Sequence, residues 1–269
     1  VPESITPAIL CYLCSMKWRT IPHKLLKWRV RNIQTAHFNL VLAAATGALS
    51  GLAAVVLKAS VHAIQRLLSH SPEHFAGKYL MYFYPLLGIV LTVLIARYIL
   101  RDRLGHGITD ILYTISKKSS DISRGKMWSR MVTSAVTVGF GGSVGLEAPI
   151  VVTGSAIGSN FGKWMHMNYQ SRTLLIGCGA AGAIAGIFNS PVGGVIFSSE
   201  VILAGIGFAS FIPLLIAAVA GSLVSRAMLG DDILFSFNLQ DSFVAADTPL
   251  YILLGILCGL VSVYFTKTT

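Results

Sequence analysis

Residues 142–154 read GSVGLEAPIVVTG, and within them a single acid, Glu147, stands between glycines and a proline. From Met131 to Gln170 the only charged residues are Glu147 and Lys163. The glycines before Glu147 do not suit a helix interior, where each costs up to about 1 kcal/mol relative to alanine. Pro149 is tolerated in a first helical turn. The stretch therefore predicts a break over residues 139–145 and a new helix starting at Glu147. The N-terminus of a helix carries unpaired N–H groups and partial positive charge. A carboxylate there is itself an anion at an anion site. It can block the site, and when protonated or displaced it can vacate it. The bland alternative is an ordinary capping glutamate near a wet surface.

The surroundings of this stretch are those of a membrane protein. The 269 residues are 54% hydrophobic and 12% charged, about half the charged fraction of a soluble domain. Mean hydropathy is +0.70. Apolar runs at Leu40–Leu57, Met81–Ile99, Thr173–Ser199 and Tyr251–Phe265 approach or exceed the ~18–20 residues of a membrane-spanning helix. A soluble globular domain is excluded on these grounds.

The net charge of +10 raises nucleic acid as a partner, and its placement argues against it. Lys17, Arg19, Lys24, Lys27, Arg29 and Arg31 precede the first long apolar run. A second group (Arg97, Arg101, Arg103, Lys117, Lys118, Arg124, Lys126 and Arg130) surrounds one polar stretch. The positive-inside rule places both groups, and the N-terminus, in the cytoplasm. The segment Gly230–Pro249 has four aspartates and no Lys or Arg, which places it outside. The basic residues at the N-terminus follow the apolar start rather than precede it, unlike a signal peptide. A multi-pass protein of a plasma membrane or bacterial inner membrane fits this pattern. Cys11 and Cys14 form one C-x-x-C with only His23 nearby, short of the four ligands of a structural zinc site. No metal or cofactor is expected.

Residues 1–33 read as a basic cytoplasmic or interfacial segment, and residues 34–269 as an all-α polytopic membrane domain with broken and re-entrant helices. Helices are expected at 35–69 and 79–99. Ile108–Ile115 is too short to cross a bilayer and predicts a half-helix. Further segments are expected from Met127 to the glycine break, from Glu147 onward, over 173–186, from Gly194 to about Ala204, and near 208–228 and 250–266. Gly154, Gly158 and Gly162 give the Glu147 helix a face for close packing. Broken helices in a membrane are tolerated where the irregular backbone is buried or lines a cavity. Two helix N-termini aimed at one point make an anion site without a full positive charge, as in known transporters.

Three motifs in register carry a resemblance: GHGI (105–108), GLEAP (145–149) and AAGAIAGIFNSPVGGVIFSSE (180–200). The chain resembles the CLC family of chloride channels and chloride/proton antiporters over about residues 35–269. The resemblance implies that Glu147 is the gating glutamate, that backbone N–H groups around Gly145, Leu146, Glu147 and Ala148 line the outer anion site, and that Gly105, His106 and Gly107 line the inner end of the path. It also implies a homodimer with one pore per subunit, joined partly through helices near 191–228. Chloride is the implied transported ion and the lipid bilayer the surrounding partner.

The chain departs from the family pattern in four places. Leu146 replaces the arginine usual before the gating glutamate. His106 replaces the usual serine; a neutral imidazole donates one hydrogen bond, and a protonated one adds charge. Thr109 stands where the first motif has proline. Val201 falls on the position that carries the internal proton-transfer glutamate in antiporters, and Glu200 on the structural acid before it. Valine relays no proton, so the pattern favours passive conductance. A one-residue shift in register would instead make Glu200 the relay. Glu200 is the only charged residue between Arg172 and Arg226, and a buried, hydrogen-bonded structural acid is the expectation for it.

The motifs of a second inverted half are not found in these 269 residues. The sequence is expected to be the N-terminal half of such a transporter plus one helix, and to be inactive by itself. The rival functions are coupled chloride/proton exchange and a non-conducting membrane scaffold. An intramembrane enzyme lacks a nucleophile–base pair or a metal cluster.

Overall fold

A computed structural model describes residues 35–69, 83–100, 107–117, 119–203, 210–230 and 248–268. Among these residues the chain is helical, with no strand. The longest helix, α1 (Thr35–Ser69), runs without a proline through alanine- and leucine-rich sequence, which has high helix propensity. α2 (Tyr84–Leu94) has proline in its first turn and passes into a π turn, Ile95–Leu100. α3 (Ile108–Lys117) is the expected half-helix, two residues longer than read. Asp110 in its first turn and Lys117 in its last agree with the helix dipole. α4 (Lys126–Gly139) stops at the glycine break, and α5 (Glu147–Trp164) starts at the predicted residue.

α6 (Tyr169–Phe188) is longer at both ends than the expected 173–186. Asn168 caps its start by accepting from Ser171 N–H at 3.0 Å, and Asn189 ends it in the left-handed region at φ 53°. Pro191 then opens α7 (Pro191–Phe197), with Ser190 as N-cap. α7 begins three residues earlier than read, because proline suits a first turn and Gly193 and Gly194 are carried inside the helix. It passes into a second π turn, Ser198–Ile202. α8 (Phe211–Leu229) and α9 (Thr248–Thr268) complete the order. The basic N-terminal segment and acidic residues 231–247 lie outside the described residues.

Among the described residues, four helices are long and apolar enough to cross a membrane: Phe38–Leu68 of α1, α6, α8 and α9. The chain divides into two compact units, Val1–Leu234 and Phe235–Thr269; α9 is the described part of the second.

The first unit is built around α1, α6 and α8, which pack against one another. Their contacts are backbone to backbone. A Cβ on Gly47 would lie 2.6 Å from Ala217 Cα, one on Gly182 would lie 2.6 Å from Gly47 Cα, and one on Gly221 would lie 2.8 Å from Gly182 Cα. Lipid offers no hydrophobic drive for helices to associate, so dispersion between closely approaching backbones supplies it. α5 packs on α6 in the same manner: a Cβ on Gly158 would lie 2.6 Å from the Leu175 carbonyl carbon. α4 rests on α5 and α1. α2 lies against α4, where the Thr92 and Thr137 hydroxyls are 2.9 Å apart. α7 rests on α6 and α8.

Candidate functional site

The site assembles where two short helices begin. α5 starts at Glu147, with Leu146 as its N-cap and no side-chain cap. Ile150 N–H donates to Leu146 O at 3.2 Å, closing the first turn. By helix geometry the N–H groups of Glu147 and Ala148 precede the first intrahelical bonds, and Pro149 has none. The start of α5 thus presents backbone donors and the positive end of a helix dipole.

Helix α3 brings a second N-terminus to the same place. Gly107, at φ +61°, turns the chain into α3, and a Cβ on it would lie 3.8 Å from Ala148 Cβ. The entry to α3 therefore sits beside the first turn of α5. Gly105 and His106, expected at the inner end of the path, lie outside the described residues.

Glu147 is exposed. Its carboxylate folds back over the preceding loop: Oε2 occupies the space that a side chain on Gly145 would need, and Cδ would lie 3.0 Å from such a Cβ. The loop itself is tight. Gly141 has φ +87°, and Gly142 N–H donates to Thr137 O at 2.9 Å. Leu146 is half-buried and packs on the core beneath. Glycine at 145 is thus what leaves room for the carboxylate beside the helix end.

Polar ties hold α3 in position. Ten residues are too few for a helix that stands by itself in water. After α3, Ser120 is fully buried and its hydroxyl pairs with Thr173 of α6 at 2.7 Å. Ser159 of α5 donates to Ser120 O at 2.6 Å and accepts from Ile122 N–H at 3.0 Å. Tyr169 OH of α6 donates to Ile115 O at 3.1 Å. At the other end of α3, Asp110 forms an ion pair with Lys126 of α4. Sequence reading missed this network. Its members are two serines, a threonine, a tyrosine and one ion pair, and only the fold brings them together.

Glu200 and Val201 lie apart from these ties, on the π turn after α7. Ser198 and Ile202 of that turn point inward, and Ser198 donates to Gly177 O at 2.7 Å. Glu200, between them, faces outward and is exposed, so the buried, hydrogen-bonded acid expected from its apolar surroundings is not what this chain forms. Val201 is half-buried against the core. Among the described residues no group of three or more metal-ligating side chains comes together. Cys178 is fully buried in α6; Cys11 and Cys14 lie outside the described residues.

Comparison with known proteins assigns the chain to one membrane-protein family. A family model described as Voltage gated chloride channel matches residues 87–269, and the chain belongs to this family, known as CLC. Chloride channel protein CLC-f of Arabidopsis thaliana is 34% identical over 174 residues, 60% of this chain and 22% of that protein. The H(+)/Cl(-) exchange transporter ClcA of Vibrio cholerae is 27% identical over 239 residues, 84% of this chain and 50% of that protein. The crystal structure of a CLC-type fluoride/proton antiporter superposes with TM-score 0.67 at 26% identity, over 84% of this chain and 55% of that one. A slow cyanobacterial chloride/proton antiporter gives the same TM-score at 20% identity, over 86% of this chain and 55% of that one. The chain thus has the fold of an N-terminal half of a CLC protein and spans about half the length, or less, of these relatives.

Proposed function

We propose that the chain supplies half of an anion pathway across a membrane, with chloride as the first candidate ion and Glu147 as its gate. The observation that carries this reading is the meeting of two helix N-termini, Gly107 at the entry to α3 beside Ala148 of α5, with the Glu147 carboxylate folded over Gly145. Two helix ends attract an anion without the desolvation cost of a buried lysine or arginine. The carboxylate occupies the mouth of that site as an internal competitor. Protonation removes its charge and frees the site.

Val201 favours passive conductance, because an aliphatic side chain passes no proton. Coupled exchange is the second reading, supported by the exchangers among the relatives and by the exposed acid at Glu200. A homodimer completes the proposal. Val192 and Ile196 of α7 and Phe211, Ile212, Leu215, Val219 and Leu223 of α8 are exposed, and they supply an apolar face on two helices that touch.

The test is a chloride gradient across liposomes carrying the whole protein, with proton movement recorded alongside chloride efflux. Efflux without proton movement supports conductance. Uphill proton movement supports exchange and removes the argument from Val201. No flux of either ion contradicts the chloride pathway.

A further inference from the structure

Arg172 stands where a helix least suits a cation. Its backbone N–H donates to Asn168 O at 3.0 Å and closes the first turn of α6. That turn is the positive end of the helix dipole, which favours acids. Among the described residues the ion pairs are Asp110–Lys126 and Asp121–Lys163, and no acid answers Arg172. Its Nη1 donates to Ser119 O at 3.4 Å, a long bond, and its buried Nε has no partner. The guanidinium is a planar fork of donors that matches phosphate.

Other cations gather around it. The stem of Arg172 lies on α5, where a Cβ on Gly162 would be 3.1 Å from Arg172 Cγ; Lys163 is the next residue. Lys117 is two residues from Ser119, so their Cα atoms lie within about 8 Å. Arg124 follows Asp121 by three residues. Lys117, Arg124 and Lys163 are exposed. Lys117 and Lys163 sit in the last turns of α3 and α5 and favour those helix ends. Among the described residues Asp121 is the one acid in this cluster, paired with Lys163 at 2.7 Å, so the surface stays positive.

The depth of this surface in a membrane identifies what it meets. α6 is long and apolar enough to cross a membrane, so its first turn lies at the level of the lipid headgroups. Exposure changes along the helix accordingly: residues 168–170 are exposed, whereas every residue from Leu175 to Ile187 is buried. Tyr169 is 49% exposed, and its hydroxyl donates to Ile115 O at 3.1 Å. Such amphipathic rings collect at membrane–water interfaces. A headgroup phosphate supplies the acceptor oxygens that Arg172 lacks, and a net negative headgroup matches the surplus of cations. We propose that Arg172, Lys117, Arg124 and Lys163 form a binding surface for the headgroup of an anionic phospholipid, in the leaflet that meets the start of α6.

The experiment uses the whole protein in detergent. Binding of dioleoyl phosphatidylglycerol and of dioleoyl phosphatidylcholine is measured by native mass spectrometry, and melting temperature is recorded with each lipid and with inorganic phosphate. Wild type is compared with Arg172→Gln, Lys117→Gln and Arg97→Gln, the last removing an exposed cation on the turn after α2. Wild type should bind phosphatidylglycerol about tenfold or more tightly than phosphatidylcholine, and should melt higher with it. Arg172→Gln and Lys117→Gln should each lower the ratio of the two affinities about fivefold, and Arg97→Gln should keep it within about twofold of wild type. The ratio is the signature, because a loss of packing weakens both lipids alike. Lys117→Gln, at an exposed position, carries the test if Arg172→Gln does not fold. Equal affinity of wild type for the two lipids, or an unchanged ratio in Lys117→Gln, overturns the proposal. So does an equal loss in Arg97→Gln. A rise in melting temperature with inorganic phosphate as large as that with phosphatidylglycerol also overturns it, and makes the surface a site for free anions.

Discussion

The packing of α1, α6 and α8 and the junction of α3 with α5 are both rich in glycine, and glycine does opposite work in them. In the three-helix centre, Gly47, Gly182 and Gly221 sit inside regular helices and let backbones touch. At the junction, Gly107 and Gly141 have positive φ, and Gly145 makes room for a carboxylate. The first region gains its stability from contact, and it is closed. The second gives up helix continuity, and with it several backbone hydrogen bonds, to leave donors at two helix ends. What separates them is context: the centre has glycine at helical spacing within alanine-rich sequence, whereas the junction has it in clusters beside Pro149 and an acid.

Substitutions should divide along the same line. Gly182→Leu places a branched side chain where even a Cβ would overlap the Gly47 backbone. Backbone cannot yield as a side chain can, so the loss should exceed the ~1–3 kcal/mol of ordinary overpacking. Purified protein in detergent should show no cooperative thermal transition. If it melts as wild type does, the three-helix centre is not packed as described.

Gly145→Ala should leave the fold intact and change the gate. The group in its way is the end of the flexible Glu147 side chain, so the carboxylate moves and the backbone stays. The whole protein should then pass anions about threefold or more faster at neutral outside pH, with an unchanged melting curve. A slower variant with a lowered melting temperature would assign Gly145 to folding rather than to the gate.

Smaller effects follow for the ties that hold α3. Ser159→Ala strips partners from Ser120 O and Ile122 N–H in a buried place and should cost about 1–3 kcal/mol, seen as a lowered melting temperature. Asp121→Asn removes an exposed ion pair and should cost less than about 1 kcal/mol. Equal losses in the two would mean that the hydroxyl network carries no more weight than a surface pair.

Much of this architecture was legible in the sequence. The start of α5 at Glu147, the half-helix at Ile108 and the full extent of α1 follow from proline position, glycine clusters and apolar run length, which are local signals. The ends of α6 and the start of α7 were misjudged by a few residues, because the capping by Asn168 and Ser190 outweighed the apolar pattern. The outward-facing Glu200 was not foreseen, because a π turn rotates the face presented after α7. The Asp110–Lys126 pair and the Ser120–Ser159–Thr173 network were not legible at all. They join residues 16 to 53 positions apart and exist only once α3, α4, α5 and α6 are in place.

The most direct test of the account is the dependence of anion flux on outside pH, measured for the whole protein in liposomes with wild-type Glu147 and with Glu147→Gln. The account predicts flux that rises as outside pH falls in wild type, and flux that is high and flat with pH in the glutamine variant, since glutamine carries no charge to compete with the anion. A glutamine variant that keeps the wild-type pH dependence would contradict it and return Glu147 to the role of a capping residue.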